Sequence, residues 1–342
     1  MKTEILYAPD ETFYGAVNRA GEILKNGGLV AIPTETVYGL AASAFSENSI
    51  KNIYMAKGRP SDNPLIVHIA DLSELENIAE YISDKARLCM SSFWPGPFTA
   101  VLKKKSSIPD CVSGGLDTVA VRMPSHPVAR AVIKAAGVPL AAPSANLSGS
   151  PSPTTSDHVI NDLDGRIDAV LASTNCEVGL ESTVVSFAVN PPRLLRPGGV
   201  TVEQLRKIIP DIVIDPAVLA EPEKGVKVAS PGMKYKHYSP KANIVMVCGE
   251  TENFVRYCNE NSHSYDLVLG FDEDRCGITL PFLSIGTKDD HKTQAELIFA
   301  RLREIDEKGC KAVVAHAPKK DGVGLAVYNR LVRAAGFQVI EL

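Results

Sequence analysis

Paired cysteines are missing from this sequence. The seven it has (Cys89, Cys111, Cys176, Cys248, Cys258, Cys276 and Cys310) are scattered, odd in number and never spaced C-x-x-C. That argues against a disulfide framework or a structural zinc and fits a reducing cytosol. Long apolar runs are missing too: no stretch approaches the roughly 18 uninterrupted apolar residues of a membrane span. The opening MKTEILYAPDET has no apolar h-region, so neither a signal peptide nor an anchor is expected, and a cytoplasmic location is. G-x-x-x-x-G-K-[ST] is absent, as is G-x-G-x-x-G after a strand, so neither a P-loop nor an ordinary dinucleotide fold is supported. The G-x-S-x-G nucleophile elbow is also absent. Finally, no one charge dominates: the formal net charge is -4. The whole molecule is therefore not a general polyanion binder, and any nucleotide site must be a local concentration of Lys and Arg.

At 342 residues, with 45% hydrophobic and 22% charged side chains, the chain has the size of about two globular domains with real cores. There is no internal repeat. Helix 11–25 places Ala16, Ala20, Ile23 and Leu24 on one face and stops at Gly27-Gly28. Leu29 to Ile32 reads as a buried strand, with further strands at 65–69, 99–102, 118–122, 167–171 and 183–187 and a helix over 128–136. This predicts an α/β sheet domain over 1–210. From about Asp215 prolines and glycines accumulate, and 211–242 reads as a linker. Residues 243–342 then look like a smaller, Rossmann-like α/β domain.

Four polar clusters follow apolar runs. Pro33-Thr34-Glu35-Thr36 could be a strand-to-helix turn with a capping Thr or Glu, or a site. Lys57-Gly58-Arg59-Pro60 sets two cations on a stiff loop, as suits an anion, although a solvated loop is the usual fate of two charges. Asn63 and the strand bearing His68 come next; a lone His is more often structural than catalytic. Arg122 ends the strand Thr118-Val-Ala-Val-Arg122, where it is either paired internally or faces a bound anion. The run from Pro139 to Gly149 goes from small apolar residues into Ser144, Asn146 and Ser148, which can bind anionic oxygens without charge. Asn146-Leu147-Ser148 is formally a glycosylation sequon, read here as chemistry because nothing places it in a secretory context.

None of these patterns is specific alone. Their succession is: PTETVYGL, KGRPSDNPLIVHI, WPGPFT, TVAVRMPSHP, APSANLSG, GLESTVV and LLRPG, over about residues 10–210, closely resembles the YrdC family of threonylcarbamoyl-AMP synthases. The linker and second domain match that family's long form. The resemblance implies a twisted, mixed α/β sheet with a concave, positively lined cavity. It also implies an enzyme that joins L-threonine, bicarbonate or carbon dioxide, and ATP into threonylcarbamoyl-adenylate and pyrophosphate. A separate transferase would then place the group on the adenosine beside a tRNA anticodon; direct tRNA binding is left open.

Carried over residue by residue, Lys57, Arg59, Ser144 and Asn146 would be catalytic. ATP would meet these four with Asn63, Thr118, Ser152, Arg196, Tyr235 and Tyr238. Thr34, Thr36, His68, Arg122, Ala142 and Ser182 would surround threonine, Arg122 taking its carboxylate. Mg²⁺ would ride on the ATP phosphates, since no Asp/Glu cluster reads as a protein-built site. Lys234 to Tyr238, cationic and aromatic with no acid, suggests a lid over the cavity; a surface linker with packed aromatics is the plainer alternative. Two other activities compete. An RNA-binding module is weakened by net acidity and by the lack of an RRM- or KH-like signature. A carbamoyl-phosphate-using relative would carry zinc-type cysteine pairs and an acylphosphatase segment, and this chain has neither.

Overall fold

Short apolar runs alternating with amphipathic stretches build two separate sheets. The computed structural model describes residues 2–221 and 238–342. Its described residues fall into two compact units, one comprising 2–148 and 152–218, the other 149–151, 219–221 and 238–342.

In the first unit the strands in chain order are β1 (Glu4–Tyr7), β2 (Val30–Ile32), β3 (Gly39–Ser43), β4 (Ile66–His68), β5 (Phe98–Lys103), β6 (Thr118–Arg122), β7 (Leu140–Ala141), β8 (Ala169–Ala172), β9 (Thr183–Ser186), β10 (Arg193–Arg196) and β11 (Val213–Ile214). They form one mixed sheet in the order β1-β8-β2-β3-β7-β4-β6-β5-β9-β10-β11. β4 and β6 run parallel, which sets His68 opposite Arg122, while β5 runs antiparallel to β6 and sets Thr99 against Arg122 from the other side. Ligands of open α/β sheets gather where parallel strands end, and His68 and Arg122 are both last residues of their strands.

Helix Tyr14–Lys25 covers part of this sheet with Val17, Ala20, Gly21 and Leu24. A Cβ on Gly21 would lie 2.6 Å from Ala135 Cβ, so only glycine lets this helix approach helix Pro127–Ala136 so closely. The cluster beneath contains Leu24, Ile32, Val132, Ile133 and Leu140, all fully buried. Each such side chain is worth about 1.5–3 kcal/mol on leaving water.

Helix Glu47–Lys57 corrects one reading: Lys57 is not on a loop but is the last residue of a helix. Ser46 caps its start by accepting from Ser49 N, and Gly58 ends it in the left-handed conformation at φ 63°. Asn, Ser and Lys interrupt its apolar periodicity, which is why the pattern does not announce it.

The second unit is a sheet of β12 (Asn243–Cys248), β13 (Leu267–Gly270), β14 (Phe282–Ser284), β15 (Ala312–His316) and β16 (Val339–Glu341) in the order β14-β13-β15-β12-β16. All its pairings are parallel. The crossovers include helices Thr251–Glu260, His291–Glu307 and Gly324–Ala334. The apolar texture of Leu267-Val-Leu and Ala312-Val-Val-Ala is what a parallel strand covered on both faces requires.

Candidate active site

β2 leads into the turn Pro33-Thr34-Glu35-Thr36, whose hydrogen bonds define its direction. Thr34 Oγ1 accepts from the N–H of Thr36 at 3.2 Å and of Val37 at 3.3 Å, and donates to Val37 O at 2.7 Å. Its one proton is thereby used, so in the 2.8 Å contact between the two hydroxyls Thr36 is the donor. Thr36 also accepts from Arg122 Nη1 at 2.8 Å, while Arg122 Nε donates to Gly96 O at 3.3 Å. The third guanidinium nitrogen faces Glu35: Arg122 Nη2 and Glu35 Oε1 are ion-paired at 2.7 Å, with side chains only 4% and 5% exposed.

This pair governs its neighbours. Burial alone would raise the Glu35 carboxyl, but the Arg122 cation and its hydrogen bond, with backbone N–H groups, hold it below the ordinary carboxylate range. His68 is pushed down to about 3 by burial and by Arg122, so its imidazole is neutral. Its Nδ1 lies 3.1 Å from Ile66 O and therefore carries the proton. Across β5, Thr99 Oγ1 meets the fully buried Ser182 Oγ at 2.7 Å. Arg196 clamps the same serine, Nε to its carbonyl at 3.1 Å and Nη2 to its hydroxyl at 3.2 Å. The turn after β10 makes this possible: a Cβ on Gly198 would come within 2.4 Å of both Glu181 O and Thr183 N.

A second cluster forms around Lys57, which is 2% exposed. Its ammonium donates to Ser144 O, to Asn146 O at 2.6 Å and to Asn146 Oδ1 at 3.4 Å. Ser144 Oγ bonds Asn146 Oδ1, so the Ser-Ala-Asn turn is tied together from both ends. Arg59 Nη2 donates to Pro64 O at 3.1 Å and Nε to Asn63 O at 3.4 Å. Asn63 is 2% exposed, and its Nδ2 has no hydrogen-bond partner among the described residues. Thr118 opens β6, at the end from which the parallel β4 also starts. Ala142 N bonds Ile66 O at 2.9 Å, and Ser152 Oγ bonds the buried Glu181.

A family model described as telomere recombination, for Sua5, YciO and YrdC proteins, matches residues 22–198. A second, described as threonylcarbamoyl-AMP synthase, C-terminal domain, matches residues 200–336. The chain belongs to the Sua5/YrdC family. Curated relatives named threonylcarbamoyl-AMP synthase include one from Pyrococcus abyssi, 42% identical over 94% of this chain and 95% of its own, and one from Bacillus subtilis, 44% identical over 95% and 94%. The solved structure of Pyrococcus abyssi Sua5 complexed with L-threonine has a TM-score of 0.90 at 38% identity, each chain covered in full (100%).

Seen in this Sua5/YrdC chain, the residues expected around threonine separate into Thr34, Thr36, His68 and Arg122 on one side and Ser182 on the other, linked through Thr99. Lys57, Ser144 and Asn146 form the second group. Two expectations end differently. Tyr235 lies outside the described residues, as do the other lid positions 234, 236 and 237. Tyr238 is 5% exposed, with its ring 5.3 Å from that of Phe299 and 5.3 Å from the Arg330 guanidinium, inside the second unit. Glu35, Thr99 and Glu181 were not among the expected site residues. The signal was available: acids and hydroxyls within apolar runs of the family motifs are seldom left without a polar partner.

Proposed function

We propose that the first unit makes threonylcarbamoyl-AMP from L-threonine, bicarbonate or carbon dioxide, and ATP. The observation that carries this reading is the pairing of a neutral His68 with the Arg122–Thr36 cluster at the ends of two parallel strands, beside the Lys57-tied Ser144–Asn146 turn. The relative crystallised with L-threonine supports the choice of amino acid. In the reaction the threonine amine forms a C–N bond to carbon dioxide and loses a proton. The resulting carbamate oxygen bonds to the α-phosphorus of ATP, the bond to the β-phosphate oxygen breaks, and pyrophosphate leaves.

Nothing in this sequence of bonds needs a covalent enzyme intermediate; positioning and electrostatics supply the acceleration. Thr36, His68, Arg122 and Ser182 hold threonine, with Thr34 fixing the Thr36 hydroxyl and Ala142 leaving space beside them. Arg59, Asn63, Thr118, Ser144, Asn146, Ser152 and Arg196 take the nucleotide, with Lys57 as their cationic anchor, and Tyr235 is assigned to it by resemblance. Mg²⁺ would come with ATP, held through the phosphate oxygens. The product is a mixed anhydride that water destroys, so it passes to a transferase acting on tRNA, in the cytoplasm.

Pyrophosphate release tests the reading, measured with threonine and bicarbonate each omitted in turn. Release should fall at least tenfold, about 1.4 kcal/mol, on either omission. Turnover indifferent to threonine would overturn it.

A further inference from the structure

The Glu35–Arg122 pair calls for an explanation beyond stability. A buried ion pair is weak ground for stability, because desolvation consumes most of the Coulomb attraction. This one closes off one edge of the very guanidinium assigned to threonine. Of the five N–H groups of Arg122, one is donated to Gly96 O and one to Thr36 Oγ1, while Nη2 is buried against Glu35 Oε1 in the ion pair, which leaves the second N–H of Nη1. Thr36 spends its proton on Thr34 and one lone pair on Arg122, so toward a ligand its hydroxyl can only accept. The nearly closed face, with Thr36 fully buried and Arg122 4% exposed, therefore sets a donor of a charge-cancelled cation beside an acceptor. His68 adds no positive charge, since its imidazole is neutral. Such a face is complementary to a zwitterion, whose carboxylate meets the donor and whose ammonium meets the acceptor. A bare carboxylate would find no net positive charge there.

We propose that Glu35 is a positioning residue of the amino-acid site: by cancelling the charge of Arg122 and fixing its plane, it makes the site select a zwitterion over a simple carboxylate. Glu35 acts through Arg122, because its own carboxylate oxygens are buried. The inference rests on Arg122 receiving the threonine carboxylate.

Calorimetric titration of the full chain with L-threonine and with 3-hydroxybutyrate, which lacks the amine, tests it. The wild type should bind threonine at least about tenfold more tightly than 3-hydroxybutyrate. In Glu35→Gln an uncompensated Arg122 should favour the anion, shrinking that ratio at least about fivefold while ATP affinity stays within about twofold. Glu35→Asp, which keeps the charge, should retain the ratio. An equal loss of both ligands in Glu35→Gln, or an unchanged ratio, would overturn the inference and leave Glu35 a structural residue. Should Glu35→Gln not fold, the wild type decides: 3-hydroxybutyrate bound as tightly as threonine overturns it. Absence of threonine binding in the wild type would overturn the threonine reading itself. Threonine-dependent turnover with an unchanged ratio in Glu35→Gln would overturn the Glu35 inference alone.

Discussion

Among single residues His68 carries the largest pH consequence. Its folded value of about 3 lies far below the ordinary value of 6.5, with burial and then the Arg122 cation as causes. Between those two values the unfolded chain binds a proton that the folded chain does not, so stability rises with pH across the window. The contribution is fully present above the unfolded value and is lost as pH falls from there toward the folded one. In His68→Gln the dependence of the unfolding free energy on pH should flatten across that window by up to one proton, ~1.4 kcal/mol per pH unit. Urea unfolding at a series of pH values reads this directly, and an unchanged slope would contradict a neutral buried His68. At the same scale Lys57 shows how a correct residue can hold an unexpected post. Its charge and Gly-Pro setting suggest an anion ligand, but its ammonium holds the Ser144–Asn146 turn, a bond to backbone carbonyls that no side-chain pattern encodes.

Elements are legible where periodicity is strong. β6 spans Thr118–Arg122 as read from the sequence, and helix Pro127–Ala136 differs from its reading by one residue. β3 is not legible, because Gly39-Leu-Ala-Ala-Ser follows a polar turn and has few β-branched residues; its place is set by pairing with β2 and β7. The junction of β9 and β10 depends on one missing side chain. Gly198 lies where a Cβ would strike Glu181 O, Thr183 N and Ser182 C, all backbone atoms that cannot step aside cheaply. Gly198→Ala should cost about 2 kcal/mol or more in chemical denaturation and reduce pyrophosphate release, because Ser182 and Arg196 would lose register. Wild-type stability in this variant would show that the turn has slack.

On the scale of the whole molecule, all seven cysteines are free thiols. Burial pushes Cys89, Cys176 and Cys258 each up to about 12. A reductant should therefore leave the melting temperature unchanged within about 1 °C, whereas an ordinary disulfide would move it by several degrees. Among the described residues no helix is long and apolar enough to cross a membrane. The residues by themselves determined the α/β class, six strands of the first sheet and the family motifs, because those depend on local periodicity and on residue types at short spacing. Only the tertiary structure decided which charges meet. Thr36 and Arg122 are 86 positions apart, and Glu35 joins them through a sheet whose order, β1-β8-β2-β3-β7-β4-β6, departs from chain order at most of its steps. A local pattern can say that a buried Arg122 needs an anion. Whether the protein or the substrate supplies it is settled by strand register, and here the protein supplies the first one.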